Sequence, residues 1–424
     1  MSLTKKVLII TYYWPPAGGP GVQRWLKFIK YLPDFGVKPI VLVPDAAFYP
    51  ILDANHKHEL DDNLMVYRAK MKEPSRFVKA LLPKQVTHLS DGGLSSKSMS
   101  LLTKLLVFIR GNFFVPDARV GWVKPAFEQV QKILNDHPDL QTIITTGPPH
   151  SLHLIGLKIK AHHKHLRWIA DFRDPWTEIK YHENLRLTKK SKQKHKRLEH
   201  EVLVSADHIL TSSWHTANSF KAISRNPITV LTNGFDSSDF DMPPIIDDKF
   251  SLTHVGALLP DRNPLIFWKS INRFLELRPL AKSLLEIRLV GPVDESILQT
   301  LNSLHLIAYT KLLGVVDHKS AVSHMMNSKI LILIEAEQHV IPGKLFEYLH
   351  TGNAIAAVTP EDSDVRTILK NYPLSLIMTD DLNDNVNTLC HHFDSYEAGH
   401  CEPVAFDTSS YSRRYLSSQL AELL

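Results

Sequence analysis

The chain has 424 residues, of which 44% are hydrophobic and 22% are charged. Since domains usually run to roughly 100–200 residues, this composition predicts two or three domains, each with its own apolar core. The net charge of +5 is too small for a dedicated nucleic-acid-binding protein, so no nucleic acid is expected as a partner. It suits an anionic small ligand or a membrane surface better.

Cysteine content and hydropathy narrow the class of protein further. The two cysteines, Cys390 and Cys401, can form neither a disulfide framework nor a four-cysteine zinc site, which favours a cytoplasmic compartment. The apolar run at 7–10 is too short for the core of a signal peptide. Nowhere do about 18 uncharged apolar residues follow one another, so no membrane-spanning helix is expected.

Short β-rich runs alternate with helical patterns through the first half of the chain. A strand over 7–12, helical spacing over 22–32 and a strand over 39–43 form a βαβ unit, which is typical of a parallel sheet. Later apolar runs extend this sheet, at Thr142–Thr145, Trp168–Asp171, His208–Leu210 and Ile228–Leu231. We expect a doubly wound N-terminal domain over residues 1–235. The mixed basic and apolar segment at 71–115 is interpreted as an insertion in it.

After the polar stretch at 236–249 the same alternation starts again. Five strand candidates follow, at Phe250–Val255, Leu285–Val290, Ile307–Leu313, Ile330–Ile334 and Ala354–Val358. A second α/β domain is therefore expected over residues 236–407. The last residues, 408–424, carry apolar side chains at helical spacing.

A glycine-rich segment, Gly18-Gly19-Pro20-Gly21, follows the first strand and opens the first helix. Free backbone N–H groups and the helix dipole favour a phosphate there, so Gly19 and Gly21 are candidates for nucleotide-sugar binding. The segment matches neither Gly-x-Gly-x-x-Gly nor a Walker A loop, which argues against dinucleotide binding and ATP hydrolysis. A tight turn that requires glycine at positive φ is the alternative.

Charged residues in the second domain also fall where parallel strands end. Gly256 follows a strand, Arg262 lies at the turn before the next helix, and Lys344 and Glu347 share one face of a later helix. Cations at such an edge suit the phosphates of a nucleoside diphosphate, and a carboxylate suits its ribose hydroxyls. The alternative is a surface Lys–Glu pair that contributes little.

The segment around Lys344, which reads Pro-Gly-Lys-Leu-Phe-Glu-Tyr-Leu over 342–349, resembles the donor-binding segment of glycosyltransferase family 4. Other segments agree in order. Residues 233–236 resemble the family's interdomain linker, and Gly256 with 262–264 resembles its glycine turn and basic residue. Residues 314–316 resemble the turn whose backbone meets the nucleobase.

The resemblance implies a GT-B fold, in which two Rossmann-like, doubly wound domains face each other across a cleft. It also implies a retaining reaction without a metal ion or other cofactor, and a C-terminal segment, 408–424, that returns to the N-terminal domain. Arg262 and Lys344 would neutralise the leaving diphosphate. Val315, Val316, Leu345 and Glu347 would contact the nucleotide sugar, Glu347 through the ribose.

One position departs from the family pattern. The family's Glu-x7-Glu pair requires a glutamate at 339, where this chain has His339. Glu335 and Glu337 lie upstream, so either a shifted loop lets Glu337 replace the missing carboxylate or the donor hydroxyls are contacted differently.

On the acceptor side, residues 145–150 and 171–176 follow successive strands and resemble a bacterial branch of the family that assembles surface polysaccharides. Four residues are candidates for the acceptor or donor-sugar side: Arg24, His150, Arg173 and Asp174. No general base is assigned. The alternative is that Asp174 caps a helix and His150 is a satisfied loop histidine.

The predicted function is a retaining, metal-independent glycosyltransferase that moves a sugar from a nucleotide-diphosphate sugar to a glycan or lipid-linked acceptor in polysaccharide biosynthesis. A non-catalytic nucleotide-sugar-binding partner in a polysaccharide assembly complex and a GT-B nucleotide-sugar epimerase are the alternatives. Metal binding by the histidine-rich segments is not expected, because neighbouring lysines repel a cation. The basic run at 189–197 and the insertion predict weak association with the inner face of the plasma membrane, unless the run is simply a solvated helix face.

Overall fold

The computed structural model describes residues 5–45, 47, 49, 52, 53, 60–71, 101–179, 181–243 and 247–424. They divide into two compact units. The first combines Met1–Thr232 with Arg413–Leu424, and the second is Asn233–Ser412. The boundaries predicted from the sequence lie after residues 235 and 407, whereas those of the two units lie after residues 232 and 412. Of the predicted insertion at 71–115, residues 72–100 lie outside the described part of the chain.

The first unit contains a sheet of seven parallel strands in the order β3-β2-β1-β4-β5-β6-β7. The strands are β1 (Lys5–Ile10), β2 (Val37–Asp45), β3 (Met65–Lys70), β4 (Thr142–Gly147), β5 (Arg167–Phe172), β6 (His208–Thr211) and β7 (Ile228–Val230). The helices are α1 (Pro20–Tyr31), α2 (Leu101–Phe113), α3 (Val123–Asp136), α4 (Ser151–His162), a single turn at Tyr181–Asn184, α5 (Lys189–Ser205) and α6 (Trp214–Lys221).

Apolar residues on both faces of this sheet are buried. In β1, Leu8 and Ile10 belong to the core on one face, whereas Val7 and Ile9 belong to the core on the other. A strand covered by helices on both sides requires such a continuous apolar run, because successive side chains point to opposite faces. The doubly wound fold predicted from the apolar runs is confirmed for this unit.

The second unit repeats this architecture with six parallel strands in the order β10-β9-β8-β11-β12-β13. They are β8 (Phe250–Val255), β9 (Leu285–Val290), β10 (Thr310–Gly314), β11 (Ile330–Ile334), β12 (Ala354–Val358) and β13 (Ser375–Ile377). The helices are α7 (Leu265–Leu277), a single turn at Ala281–Leu284, α8 (Glu295–Ser303), α9 (His318–Met326), α10 (Lys344–Thr351), α11 (Asp364–Leu369) and α12 (Leu382–Glu397).

Several predicted elements need correction. The strand expected over Ile307–Leu313 begins only at Thr310, because Ile307–Tyr309 forms a 3₁₀ turn. Both β3 and β13 were missed; each lies at a sheet edge, and the burial of their side chains is only partial. The glycine-rich segment does not follow the first strand directly, since a loop over 11–19 separates β1 from α1.

The last helix, α13 (Arg413–Glu422), belongs to the first unit. Its Leu416 and Leu420 are buried in the same apolar cluster as Trp25 and Phe28 of α1. A segment that follows the second unit in the sequence therefore completes the core of the first unit.

A buried ion pair joins α1 to the centre of the first sheet. Arg24 is fully buried, and its Nη2 lies 3.1 Å from Asp171 Oδ1 in β5. Its Nη1 donates to the carbonyl of Thr232, the last residue before the second unit, at 2.8 Å. Asp171 Oδ2 accepts two further hydrogen bonds, from Trp25 Nε1 and Thr146 Oγ1. Arg24, predicted to face a ligand, is thus occupied inside the fold.

We expect Arg24→Met to lower the free energy of unfolding of the first unit by about 3–5 kcal/mol, because it leaves the Asp171 carboxylate buried without its cation. Arg414→Met is the matched control. Arg414 pairs with Asp34 at 2.7 Å on the surface, where such a pair contributes about 1 kcal/mol or less.

Urea unfolding followed by tryptophan fluorescence measures both effects, because all tryptophans except Trp268 lie in the first unit. Equal, small losses in the two variants would show that Arg24 is not a structural residue.

Candidate functional site

Each sheet has one point at which its strand order reverses. In the first unit the chain builds outward from β1 on one side and from β4 on the other, and in the second unit the same occurs at β8 and β11. The crossover helices leave in opposite directions there, so a crevice opens beyond the carboxyl ends of the two strands. Ligands of open α/β sheets bind in this crevice. The candidate residues fall around these two points.

In the first unit, Arg173, the residue after β5, connects the start of α1 to the end of β4. Its guanidinium donates to the carbonyls of Gly21 at 3.1 Å and Gly147 at 3.3 Å, and also to that of Pro148. A Cβ on Gly21 would lie 2.8 Å from Arg173 Nη1, so a larger residue here would require the guanidinium to move. Gly19 has a φ of 90° and immediately precedes α1. The structure thus brings Gly21 and Arg173 into direct contact.

His150 lies in the loop after β4 and is 8% exposed. Its ring stacks on Trp176 with a centroid distance of 5.1 Å, and its buried Nδ1 has no hydrogen-bond partner among the described residues. Burial, reinforced by the nearby ring of His153, holds the pKa of His150 well below its ordinary value. The imidazole is therefore neutral at pH 7. Asp174 is partly exposed two residues before Trp176.

In the second unit, β8 and β11 stop pairing before they end. The last paired residues are Thr253 and Leu331. Beyond them, His254 Nδ1 lies 3.0 Å from the carbonyl of Ile332, and the N–H of Val255 donates to the Tyr348 hydroxyl at 3.0 Å. Side chains thus replace the missing backbone bonds where the strands separate.

Lys344, the first residue of α10, reaches into this opening. Its Nζ donates to the Val255 carbonyl at 2.9 Å and lies 3.3 Å from His254 Nε2. Burial and the positive charge of Arg262 lower the pKa of Lys344 to about 7. Arg262 Nη2 in turn lies 3.6 Å from Oε2 of the buried Glu335. Burial raises the pKa of Glu335, although the charge of Arg262 opposes that change.

A cavity of about 380 Å³ opens beside Arg262, within the range of roughly 300–1,000 Å³ that is typical of small-molecule sites. Its lining includes residues that follow β11, β12 and β13: Glu335, Thr359, Thr379 and Asp380, together with Arg366 of α11. Glu335 Oε2 and Thr359 Oγ1 are buried and have no hydrogen-bond partner in the described part of the chain. Of these two atoms, Glu335 Oε2 has the 3.6 Å ion-pair contact with Arg262.

Three consecutive strands, β8, β9 and β10, are followed or ended by a glycine of positive φ: Gly256, Gly291 and Gly314. A Cβ on Gly291 would lie 2.5 Å from the Gly256 carbonyl oxygen, and one on Gly256 would lie 3.3 Å from Lys344 Nζ. Gly291 therefore packs directly against Gly256, which in turn lies beside Lys344.

The remaining candidates have different environments. Glu347 Oε1 lies 3.7 Å from His318 Nε2, which also lies 3.3 Å from Asp239 Oδ2. Val315 is 81% exposed, whereas Val316 packs against an apolar cluster. Leu345 is fully buried in that cluster, so its side chain belongs to the core and does not face a ligand.

Sequence reasoning missed three residues that contact the candidate cations or support them: His254, Tyr348 and Gly291. His254 could have been found from the sequence, because it lies directly before Val255-Gly256, where a strand was predicted to end. Among the described residues, no group of three or more His, Cys, Asp or Glu side chains is placed to hold a metal ion. In the same residues, no helix combines the length and apolar character needed to cross a bilayer.

At the level of sequence, no family profile and no curated protein matches this chain. Solved structures do match it. HepE of Anabaena, solved with UDP and glucose, is 13% identical, with a TM-score of 0.62 and coverage of 99% of both chains. A glycosyltransferase from Rickettsia africae is 10% identical, with a TM-score of 0.61 and coverage of 99% of this chain and 97% of its own.

A third match is a putative UDP-N-acetylglucosamine 2-epimerase from Listeria monocytogenes, 10% identical, with a TM-score of 0.55 and coverage of 98% of this chain and 94% of its own. Likeness at this level of identity shows the fold alone. Two parallel α/β units, matched over nearly the whole chain, define the GT-B fold. The predicted fold class is confirmed.

Proposed function

We propose that the protein is a glycosyltransferase that takes its sugar from a nucleotide-diphosphate sugar. The observation that carries the proposal is the convergence of Lys344 and Arg262 at the point where strand order reverses in the second sheet. Two cations at such a point suit a diphosphate. HepE, of the same fold, was solved with UDP and with UDP-glucose, which supports a nucleotide sugar as the ligand.

In this proposal the reaction retains the anomeric configuration and requires no metal ion. Negative charge develops on the diphosphate as the glycosidic bond breaks, and Arg262 and Lys344 stabilise that charge where a metal ion does so in other transferases. Glu347 binds the ribose, and the backbone at Val315 and Val316 contacts the base. The family 4 assignment and its surface-polysaccharide branch belong to this proposal.

The first unit binds the acceptor, a glycan or a lipid-linked glycan of polysaccharide biosynthesis. Gly19, His150 and Asp174 lie at or near the carboxyl edge of its sheet, with Arg173 fixing the loops between them. The neutral imidazole of His150 is 8% exposed there and is a candidate for contact with an acceptor hydroxyl.

Two other functions suit the same fold. An epimerase is favoured by the Listeria structure, and a non-catalytic nucleotide-sugar binder by His339 in place of glutamate. NMR of the protein with a panel of UDP-, GDP- and ADP-sugars separates the three. A new epimer indicates an epimerase, binding without turnover indicates a binder, and slow release of the nucleoside diphosphate indicates a transferase.

We expect Arg262→Ala and Lys344→Ala each to reduce turnover of the donor by roughly a hundredfold or more, as loss of a transition-state charge partner does. Arg278→Ala is the control, because it removes a cation of the same unit whose partner is Asp394. Nucleoside diphosphate release measures turnover, and thermal melting checks folding. Near-wild-type turnover in both site variants would remove these residues from the active site.

Chelation tests the metal-independent mechanism. Side-chain cations remain in place when EDTA is added, so turnover should change less than twofold. Complete loss of turnover that magnesium or manganese restores would refute this part of the proposal.

We further propose that the first unit associates loosely with an anionic membrane surface. Helix α2 exposes an apolar stripe, with Leu101 85%, Leu105 53% and Phe113 73% exposed. On the opposite face, Gly111 packs against Leu185. Asn112 Oδ1 accepts from the N–H of Thr188, the residue before α5.

The structure thus places this stripe next to the start of α5, whose exposed cations are Lys189, Lys190, Lys192, Lys194, Lys196 and Arg197. Each cation near anionic lipid contributes about 1 kcal/mol, screened by salt, and apolar side chains add to it. Both elements together favour reversible attachment.

Co-sedimentation should show binding to vesicles with anionic lipid at low salt, partial release at high salt, and weak binding to neutral vesicles. Leu105→Glu with Phe113→Glu should abolish most binding, and Leu280→Glu, at an exposed leucine of the second unit, should not change it. Equal failure of wild type to bind both vesicle types would indicate a soluble acceptor.

A further inference from the structure

Lys344 Nζ lies within hydrogen-bond distance of two acceptors. One is the Val255 carbonyl at 2.9 Å, and the other is His254 Nε2 at 3.3 Å. His254 is 1% exposed, and its Nδ1 lies 3.0 Å from the carbonyl of Ile332. A carbonyl only accepts hydrogen bonds, so Nδ1 carries the proton, and Nε2 presents its lone pair to Lys344.

The charges around Lys344 do not include a direct counter-ion. No carboxylate oxygen of the described residues lies within 4 Å of Nζ. The charged groups that face it are Arg262 after β8, Glu335 after β11 and Glu347 on α10 itself. Glu335 lies nearer to Arg262, and Glu347 has His318 beside it. Both acceptors of Lys344 Nζ in the described part of the chain, the Val255 carbonyl and His254 Nε2, are uncharged.

We propose that Lys344, which His254 positions in the opening near Arg262, is a neutral amine in the free protein and takes up one proton when a diphosphate binds beside it. This inference rests on the proposed nucleotide-sugar site. The proton leaves a hydronium ion or the buffer acid, whose O–H or N–H bond breaks, and forms an N–H bond with the lone pair of Nζ. His254 is a positioning residue, because it acts through Lys344.

The direction of the effect follows from the charges. Burial and Arg262 lower the pKa of Lys344 to about 7, so the amine predominates in the free protein above that pH. A bound diphosphate favours the ammonium and raises its pKa again. Affinity for the diphosphate therefore falls as pH rises through 7. His254 stays neutral throughout, because burial and Lys344 hold its pKa well below the ordinary value.

Calorimetry of UDP binding at pH 8 measures the proton directly, when repeated in HEPES and in Tris, whose ionisation enthalpies differ. The terminal phosphate titrates near pH 6, about two units away, and contributes little at pH 8. Wild type should take up about one proton per UDP. ADP and GDP are tested in parallel, since the base is not specified by these contacts.

Two variants identify the group that is protonated. Lys344→Arg keeps a cation that does not lose its proton, so UDP should still bind but uptake should fall to about zero. Glu335→Gln removes the carboxylate beside Arg262, whose pKa is also shifted. Proton uptake on UDP binding should persist in this variant. Unchanged uptake in Lys344→Arg, or none in a wild type that binds UDP, would overturn the inference.

A second pair of variants tests His254 itself. His254→Gln can still place an acceptor near Nζ, whereas His254→Phe fills the space without one. We expect His254→Phe to weaken UDP binding about tenfold and His254→Gln to restore most of it, with similar melting temperatures. Equal affinity in both variants would show that His254 does not position Lys344.

Competitive acetylation read by mass spectrometry separates this inference from the proposed function. The labelling of Lys344 without nucleotide should have its midpoint near pH 7. The labelling of the exposed Lys370, measured in the same samples, is the reference for the reagent. If no nucleotide binds wild type, the proposed function fails, and this midpoint alone decides whether Lys344 is neutral. A midpoint near 10 would overturn the inference.

Discussion

The separation of β8 from β11 is the constraint on which the rest of the second unit depends. Parallel strands whose crossovers leave in opposite directions cannot stay covered at their carboxyl ends, so their backbone bonds must be completed by something else. Here a histidine ring, a tyrosine hydroxyl and a lysine amine complete them. The same replacement that satisfies the backbone brings the Lys344 amine to the open end of the sheet.

Charge in this region is concentrated and only partly compensated. Arg262 has a carboxylate at 3.6 Å, beyond hydrogen-bond distance, and Lys344 has neutral acceptors. The free protein therefore bears the cost of holding two basic groups near each other in a partly dry environment. An anion relieves that cost, which is one physical reason for such a site to bind phosphates tightly.

Local pattern was enough to predict most strands and the cations of the second unit. Buried strands such as β11 are unbroken apolar runs, and Lys344 lies in a short segment of recognisable order. Contacts between distant residues could not be predicted: His254 and Lys344 are 90 positions apart. The edge strand β3 escaped detection because a half-exposed strand carries polar residues and loses the apolar signal. The edge strand β13 has only three residues, too few to show a pattern.

The two arginines of the first unit show the limit of residue type as evidence. Arg24 and Arg173 were equally good candidates, yet Arg24 is sealed inside with Asp171, and Arg173 is bonded to loop carbonyls at the sheet edge. Residue type alone does not distinguish an arginine inside the fold from one at the edge of the sheet. Only burial and partners separate them.

The second unit is an uninterrupted segment whose two ends lie together: Phe235 pairs with Ser412, and its N–H donates to the Tyr411 carbonyl at 3.2 Å. In terms of gene architecture, it is a cassette inserted into the first unit before that unit's last helix. Such a cassette can be excised with its termini already adjacent, and another can be spliced in without lengthening either connection. The nucleotide-sugar candidates other than Gly19 and Gly21 lie in this segment, so exchanging it between proteins of this fold would transfer those residues together.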